Sequence, residues 1–127
     1  MKNLIKLFPL ALALVAGTTG VASAATVTSH SVKYLDESGV VVGQQYLLCN
    51  NEVGHGGNIH TAYKIDEKTG CGNFPQPAVI VPNTLITSYT LPGSVTISQA
   101  CLVAECSPGY SPEVERLNRW TYSVGWQ

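Results

Sequence analysis

The chain has 127 residues, four cysteines and a formal net charge of -1, with 12% charged and 45% hydrophobic residues. A chain of this length supports one small core, which excludes long solenoids and two-domain catalytic folds. Its few Lys and Arg side chains exclude a basic nucleic-acid footprint.

The N-terminus has the composition of an export signal: a basic start over 1–6, an apolar run over 7–17, and the small residues Ala22, Ser23 and Ala24 before Ala25. The apolar run is well short of the roughly 20 residues a membrane-spanning helix requires. Cleavage after Ala24 is therefore expected, which makes 1–24 a signal peptide and 25–127 a single small secreted β domain, periplasmic or extracellular, with no membrane anchor. Losing Lys2 and Lys6 with the signal would leave 5 basic residues against 8 acidic ones.

Beyond Ala24 there are 12 Val, 9 Thr and 6 Tyr but only 5 Ala, a composition that favours sheet over helix. The expected fold is mainly β: a small antiparallel sheet or sandwich of hairpins, stapled by disulfides, with one short C-terminal helix. Strand-like runs begin at 27–35 and 40–49. Between them Asp36-Glu37-Ser38-Gly39 has the chemistry of a type I turn closed by a left-handed glycine, which predicts a hairpin pairing Asp36 with Val40 and Tyr34 with Val42.

The polar stretch 50–60 reads as a flexible hairpin loop. Its glycines can bring backbone amides close to a ligand, and His55, Asn58 and His60 are candidate binding residues. A metal site is not expected, because His55 and His60 are five residues apart and the nearby carboxylates Glu52 and Asp66 complete no ligand pattern. Gly54-His55-Gly56-Gly57 has the look of an oxyanion-binding segment of lipase-like hydrolases, but no Gly-x-Ser-x-Gly elbow accompanies it. No catalytic residues and no cofactor are assigned.

A further strand is expected at 59–65. Over residues 34–63, Tyr34 and Asp36, then Val42-Gly43, Tyr46-Leu47-Leu48-Cys49-Asn50, a glycine-containing loop and Thr61-Ala62-Tyr63 together resemble a group of small exported bacterial domains of unknown function. The resemblance implies export and a hairpin with a cysteine at its end. It carries over no catalytic residues, and the loop here is longer and richer in histidine than that group would suggest.

In an oxidising compartment Cys49, Cys71, Cys101 and Cys106 are expected to pair. Three connectivities are possible. Cys49 with Cys71 and Cys101 with Cys106 is favoured, because each bridge closes a loop between neighbouring segments. A cysteine nucleophile would require one thiol to remain free.

Two closely spaced prolines, Pro75 and Pro77, followed by Pro82, make 74–82 a connection and not a central strand. Strands are next expected at 84–91 and 94–103, joined by a three-residue loop over 92–94 that would pair Leu91 with Val95, Tyr89 with Ile97 and Leu85 with Cys101. Ser111-Pro112-Glu113 reads as the start of the only helix, reaching to about Arg119. A closing strand over 120–127 would then carry Trp120, Tyr122, Val124 and Trp126 on one face. Core packing is the favoured reading of that stripe, and a stacking platform with Trp120 and Trp126 as binding residues is the functional one.

These features point to a secreted, disulfide-stabilised binding or interaction module for a protein, peptide or glycan ligand. The alternative is a small secreted enzyme, or an inhibitor that presents a loop such as 50–60 to another enzyme.

Overall fold

The computed structural model describes residues 24–108, 117 and 119–127. The segment read as an export signal, up to residue 23, and residues 109–116 and 118, which include most of the segment read as a C-terminal helix from Ser111 to about Arg119, lie outside the described residues. In chain order the elements are β1 (Thr28–Leu35), β2 (Val41–Leu47), β3 (Val53–Gly57), β4 (Tyr63–Gly70), β5 (Ile86–Thr90), α1 (Ile97–Ala104) and β6 (Ser123–Val124). The strands form one six-stranded sheet in the order β5-β4-β1-β2-β3-β6, every neighbouring pair antiparallel. The chain is thus mainly β, with one short helix among the described residues.

The first hairpin forms for the reason its sequence gives. The Asp36 carboxylate accepts from the backbone N–H groups of Ser38 and Val40 at 2.9 and 3.0 Å, and Gly39 takes the left-handed conformation at φ 81°. Asp36 N–H donates to the Val40 carbonyl at 2.9 Å, as the expected pairing requires. One register detail differs: a bulge between Tyr34 and Leu35 sets Tyr34 opposite Gly43, not Val42.

Strand alternation sorts β1 onto two faces. Leu35 joins Val41, Ile65 and Ile86 beneath Ala100 and Ala104 of α1 and beside Leu117, forming the larger core cluster. Burying a side chain such as Leu35, which is fully inaccessible, contributes about 2 kcal/mol. On this same covered face Lys33 is buried in an ion pair with Glu67 of β4, and its ammonium also donates to the carbonyl of Ala104 at the C-terminal end of α1. A cation at that end of a helix is favourably placed. The opposite face carries Val32 and Tyr34, which pack with Ile59 in a smaller cluster. Among the described residues no helix lies on it.

Both disulfides have the favoured connectivity. Cys49–Cys71 ties the end of β2 to the end of β4, with Cα atoms 5.6 Å apart, and Cys101–Cys106 closes the C-terminal end of α1 at 4.9 Å. No cysteine is free. The connection over 74–82 contains no strand, as its prolines dictate.

Four expectations are corrected. The run 94–103 is not a strand: Val95 N–H donates to Pro92 O in a tight turn, and Thr96 caps α1. The Thr96 side chain accepts from Gln99 N–H at 3.2 Å while the Gln99 side chain accepts from Thr96 N–H at 2.9 Å, a reciprocal box that satisfies two backbone donors at once. Tyr89 consequently pairs with Ile65 of β4 and not with Ile97.

The stretch 50–60 is only partly a loop, because 53–57 is β3, paired along its whole length with β2. Its glycines make room for aromatic rings. A Cβ on Gly54 would lie 2.6 Å from the Tyr46 hydroxyl, and one on Gly56 would meet Tyr122 and Trp120 at 3.1 and 3.2 Å.

The strand expected at 59–65 instead starts at Tyr63 and runs to Gly70. Its polar half, Asp66 to Lys68, is accommodated because Glu67 pairs with Lys33 on one face while Asp66 serves the other.

The closing strand is reduced to Ser123–Val124, and its aromatic stripe does not share one face. Trp120 packs against the larger core cluster and Tyr122 against Tyr46, Val124 is 91% exposed, and Gly125, at φ 113°, turns the chain so that Trp126 reaches the opposite face.

Candidate functional site

The helix-free face of the sheet, its open face, is built by register; Val32, Tyr34, Gln45 and Asp66 on it are buried, and His30, Lys64 and Lys68 keep some exposure. Pairing sets Lys68 opposite His30, Asp66 opposite Val32 and Lys64 opposite Tyr34 on β4, with Leu47 and Gln45 opposite His30 and Val32 on β2. Gln45 in turn lies opposite His55 on β3, and Asp66 opposite Ser88 on β5. Directly opposed residues in antiparallel strands share a face, so these side chains form one surface.

At its centre the His30 imidazole donates from Nε2 to the Asp66 carboxylate at 3.1 Å. Ser88 Oγ donates to the second carboxylate oxygen at 3.1 Å, and the Lys64 ammonium stands 3.9 Å from it. Burial pushes the Asp66 carboxyl up, but the His30 hydrogen bond, the Lys64 charge and the Ser88 hydroxyl together outweigh it and hold the group below the ordinary carboxylate value. Asp66 is therefore a fixed anion whose charge is met within the protein. Ser88 bonds the carboxylate and not the imidazole, so this trio is not a nucleophile–base–orienter relay.

The last residues of the chain complete the surface. The Trp126 ring lies on the His30 imidazole, centroids 5.0 Å apart and planes tilted by 32°, yet it remains 42% exposed. His55 Nδ1 bonds the Gly125 carbonyl at 2.9 Å; a carbonyl only accepts, so this nitrogen carries the proton. In the neutral ring Nε2 then accepts from the Gln127 amide at 3.0 Å. Gln127 N–H donates to the Gln45 side chain at 3.2 Å, and Gln45 donates to the Tyr34 hydroxyl. Burial raises the Tyr34 pKa, so that phenol stays neutral.

Beside His30 a shallow groove of about 380 Å³ is lined by Thr28, Leu47, Lys68 and Pro77. It adjoins a larger one of about 520 Å³ that shares Lys68 and Pro77 and continues along the proline-rich connection.

The sequence-predicted residues are dispersed. His55 and Trp126 lie on the open face, Trp120 packs with the covered core, and Asn58 and His60 are exposed in the β3–β4 connection, where the Asn58 side chain accepts from His60 N–H at 3.0 Å. The sequence pattern does not point to His30, Lys64 or Lys68, and it offers Asp66 only as a carboxylate near the histidines that completes no metal-ligand set. Their meeting depends on the pairing of β1 with β4, for which no local pattern exists. Among the described residues no three His, Cys, Asp or Glu side chains gather to hold a metal, and no helix is long and apolar enough to cross a membrane. Comparison with protein-family models, with curated proteins and with solved structures finds no match for this chain.

Proposed function

We propose that this chain is a secreted, disulfide-stabilised binding module whose ligand rests on the open face of the sheet, around His30, Asp66 and Trp126. The observation that carries this reading is the half-exposed indole of Trp126 held over a hydrogen-bonded His30–Asp66 pair. An aromatic ring with one wet face beside fixed polar groups is what a ligand with both apolar faces and hydroxyls or amides requires. The rigid strands beneath and the Cys49–Cys71 bridge supply pre-organisation, which lowers the ordering cost of binding.

The test is a glycan and peptide array probed with the wild-type chain, Trp126→Ala, His30→Ala and Leu102→Ser. Leu102 is 84% exposed on α1, away from this face, so its change is a control. Ligands retained by the wild type and by Leu102→Ser should be lost by Trp126→Ala. Retention by all four proteins, or by none, contradicts the proposal.

A second reading, presentation of a loop to a partner enzyme, is favoured at the proline-rich connection and not at 50–60. There Gln76 bonds both the N–H and the carbonyl of Gly70, at 3.0 and 3.4 Å, next to the buried Cys71. The pinned segment exposes Phe74, Val79 and Ile80. An array ligand lost by Val79→Ser with Ile80→Ser, and kept by Trp126→Ala, would move the site to this loop.

A further inference from the structure

Charge is unevenly distributed over the sheet. Of the four Lys and Arg side chains among the described residues, Lys33 is buried against Glu67, Arg119 lies outside the strands, and both Lys64 and Lys68 project from the open face. Of the two acidic residues in the described strands, Glu67 lies on the covered face and Asp66 on the open one, where its charge is engaged by His30, Ser88 and Lys64. A chain with more acidic than basic residues thus presents a face where cations predominate.

The spacing of the two lysines narrows the partner. Four residues along one strand place Lys64 and Lys68 about 13 Å apart, too far to clamp one phosphate or carboxylate together. They suit charges that recur along an extended ligand. The adjoining grooves that share Lys68 and Pro77 give such a ligand a path past His30, and Trp126 offers a ring for stacking.

We infer that the open face binds an anionic glycan, a polysaccharide bearing uronate carboxylates, with Lys64 and Lys68 meeting its charges and Trp126 stacking on a sugar ring. This rests on the binding-module reading above and names the ligand class for the same face. The His30 N–H is committed to Asp66, whereas the half-exposed Lys64 ammonium stands 3.9 Å from that carboxylate with room to meet a second charge, so the lysines, and not the imidazole, discriminate charged from neutral sugars.

Affinity electrophoresis tests this in gels containing alginate, neutral dextran or single-stranded DNA, at low and at 0.5 M salt. The proteins are wild type, Lys64→Gln, Lys64→Gln with Lys68→Gln, Trp126→Ala and, as a charge control, Arg119→Gln. Alginate should retard the wild type and Arg119→Gln at low salt, with dissociation constants raised roughly tenfold by the double lysine change and by high salt, because exposed charges are screened. Trp126→Ala should weaken alginate binding without changing the salt dependence.

Circular dichroism establishes that each variant is folded, and Lys64→Gln alone, at a half-exposed position, provides a graded loss if the double variant is not. Equal retardation by DNA that is indifferent to Trp126 would show non-specific polyanion binding and overturn the inference. A neutral glycan or peptide bound through Trp126, with alginate ignored, would overturn the anionic class and leave the face as the site. No Trp126-dependent ligand of any kind would overturn both.

Discussion

Lys33 of β1 and Glu67 of β4 form an ion pair on the covered face, at 4% and 1% side-chain exposure, and the lysine reaches on to the Ala104 carbonyl of α1. One charged side chain thereby joins the central strand, its neighbour and the helix that roofs the core. Removing either partner takes the opposite charge away from a buried ion, which costs about 3–5 kcal/mol. Lys33→Met and Glu67→Leu should each lower the urea midpoint strongly, whereas the double variant should recover much of the loss. A double variant as unstable as the sum of the two singles would show that the pair does not act as a unit.

Acid stability should depend on Asp66. Its carboxyl is held below the ordinary value in the folded chain, so its stabilising contribution is complete above the unfolded value of about 4 and disappears as pH falls through the folded value. The stability difference between wild type and Asp66→Asn should be constant from pH 7 to 5 and shrink below pH 4. A difference that persists undiminished at pH 2 would contradict the carboxylate account.

Alkaline behaviour follows from Tyr122. Burial, with a smaller contribution from Tyr46, pushes its phenol up to about 12, and its hydroxyl donates to Gln44 at 3.0 Å. The folded value lies above the ordinary one near 10, so the contribution is present below pH 10 and is lost as pH rises towards 12. Ultraviolet titration should show one late-ionising phenol fewer in Tyr122→Phe than in the wild type, where Tyr34 is also raised. A titration unchanged by that substitution would place the late phenol elsewhere.

The two bridges should contribute unequally. Loop-closure entropy gives about 3 kcal/mol for the 22-residue separation of Cys49–Cys71 and about 2 kcal/mol for the 5-residue separation of Cys101–Cys106. Paired serine substitutions at each bridge, compared by urea denaturation, should rank them in that order. The reverse order would mean that capping the end of α1 outweighs joining β2 to β4.

Local chemistry made part of this fold legible. Asp36 and Gly39 specify their turn within four residues, and the bridges followed from cysteine proximity along the chain. The helix α1 was hidden because Val95 and Ile97 favour strands, although Thr96 followed three residues later by Gln99 is the signature that decided the outcome. Strand β3 was hidden because Gly54 and Gly56 suggest a loop, whereas they leave space for Tyr46, Trp120 and Tyr122. In Gly54-His55-Gly56 the small residues alternate with the period of a strand, the one signal that was available.

The candidate site was the least legible part. His30 gains its meaning from Asp66 on a strand far along the chain, and from Trp126 only after Gly125 reverses the side on which the tail lies. Trp126 is accordingly not a core residue of an aromatic strand face. Its replacement by Ala should cost about 1 kcal/mol, well below the 3–5 kcal/mol of a buried Trp.

The most direct measurement is a set of ¹H–¹⁵N spectra of the wild-type chain recorded while a uronate oligosaccharide is added. The Trp126 indole N–H and the amides of His30, Lys64, Asp66 and Lys68 should move together and saturate, with α1 over Ile97–Ala104 unchanged. Shifts concentrated on α1 and the Asp36 turn, or no shifts at all, would contradict the assignment of this face as the binding site.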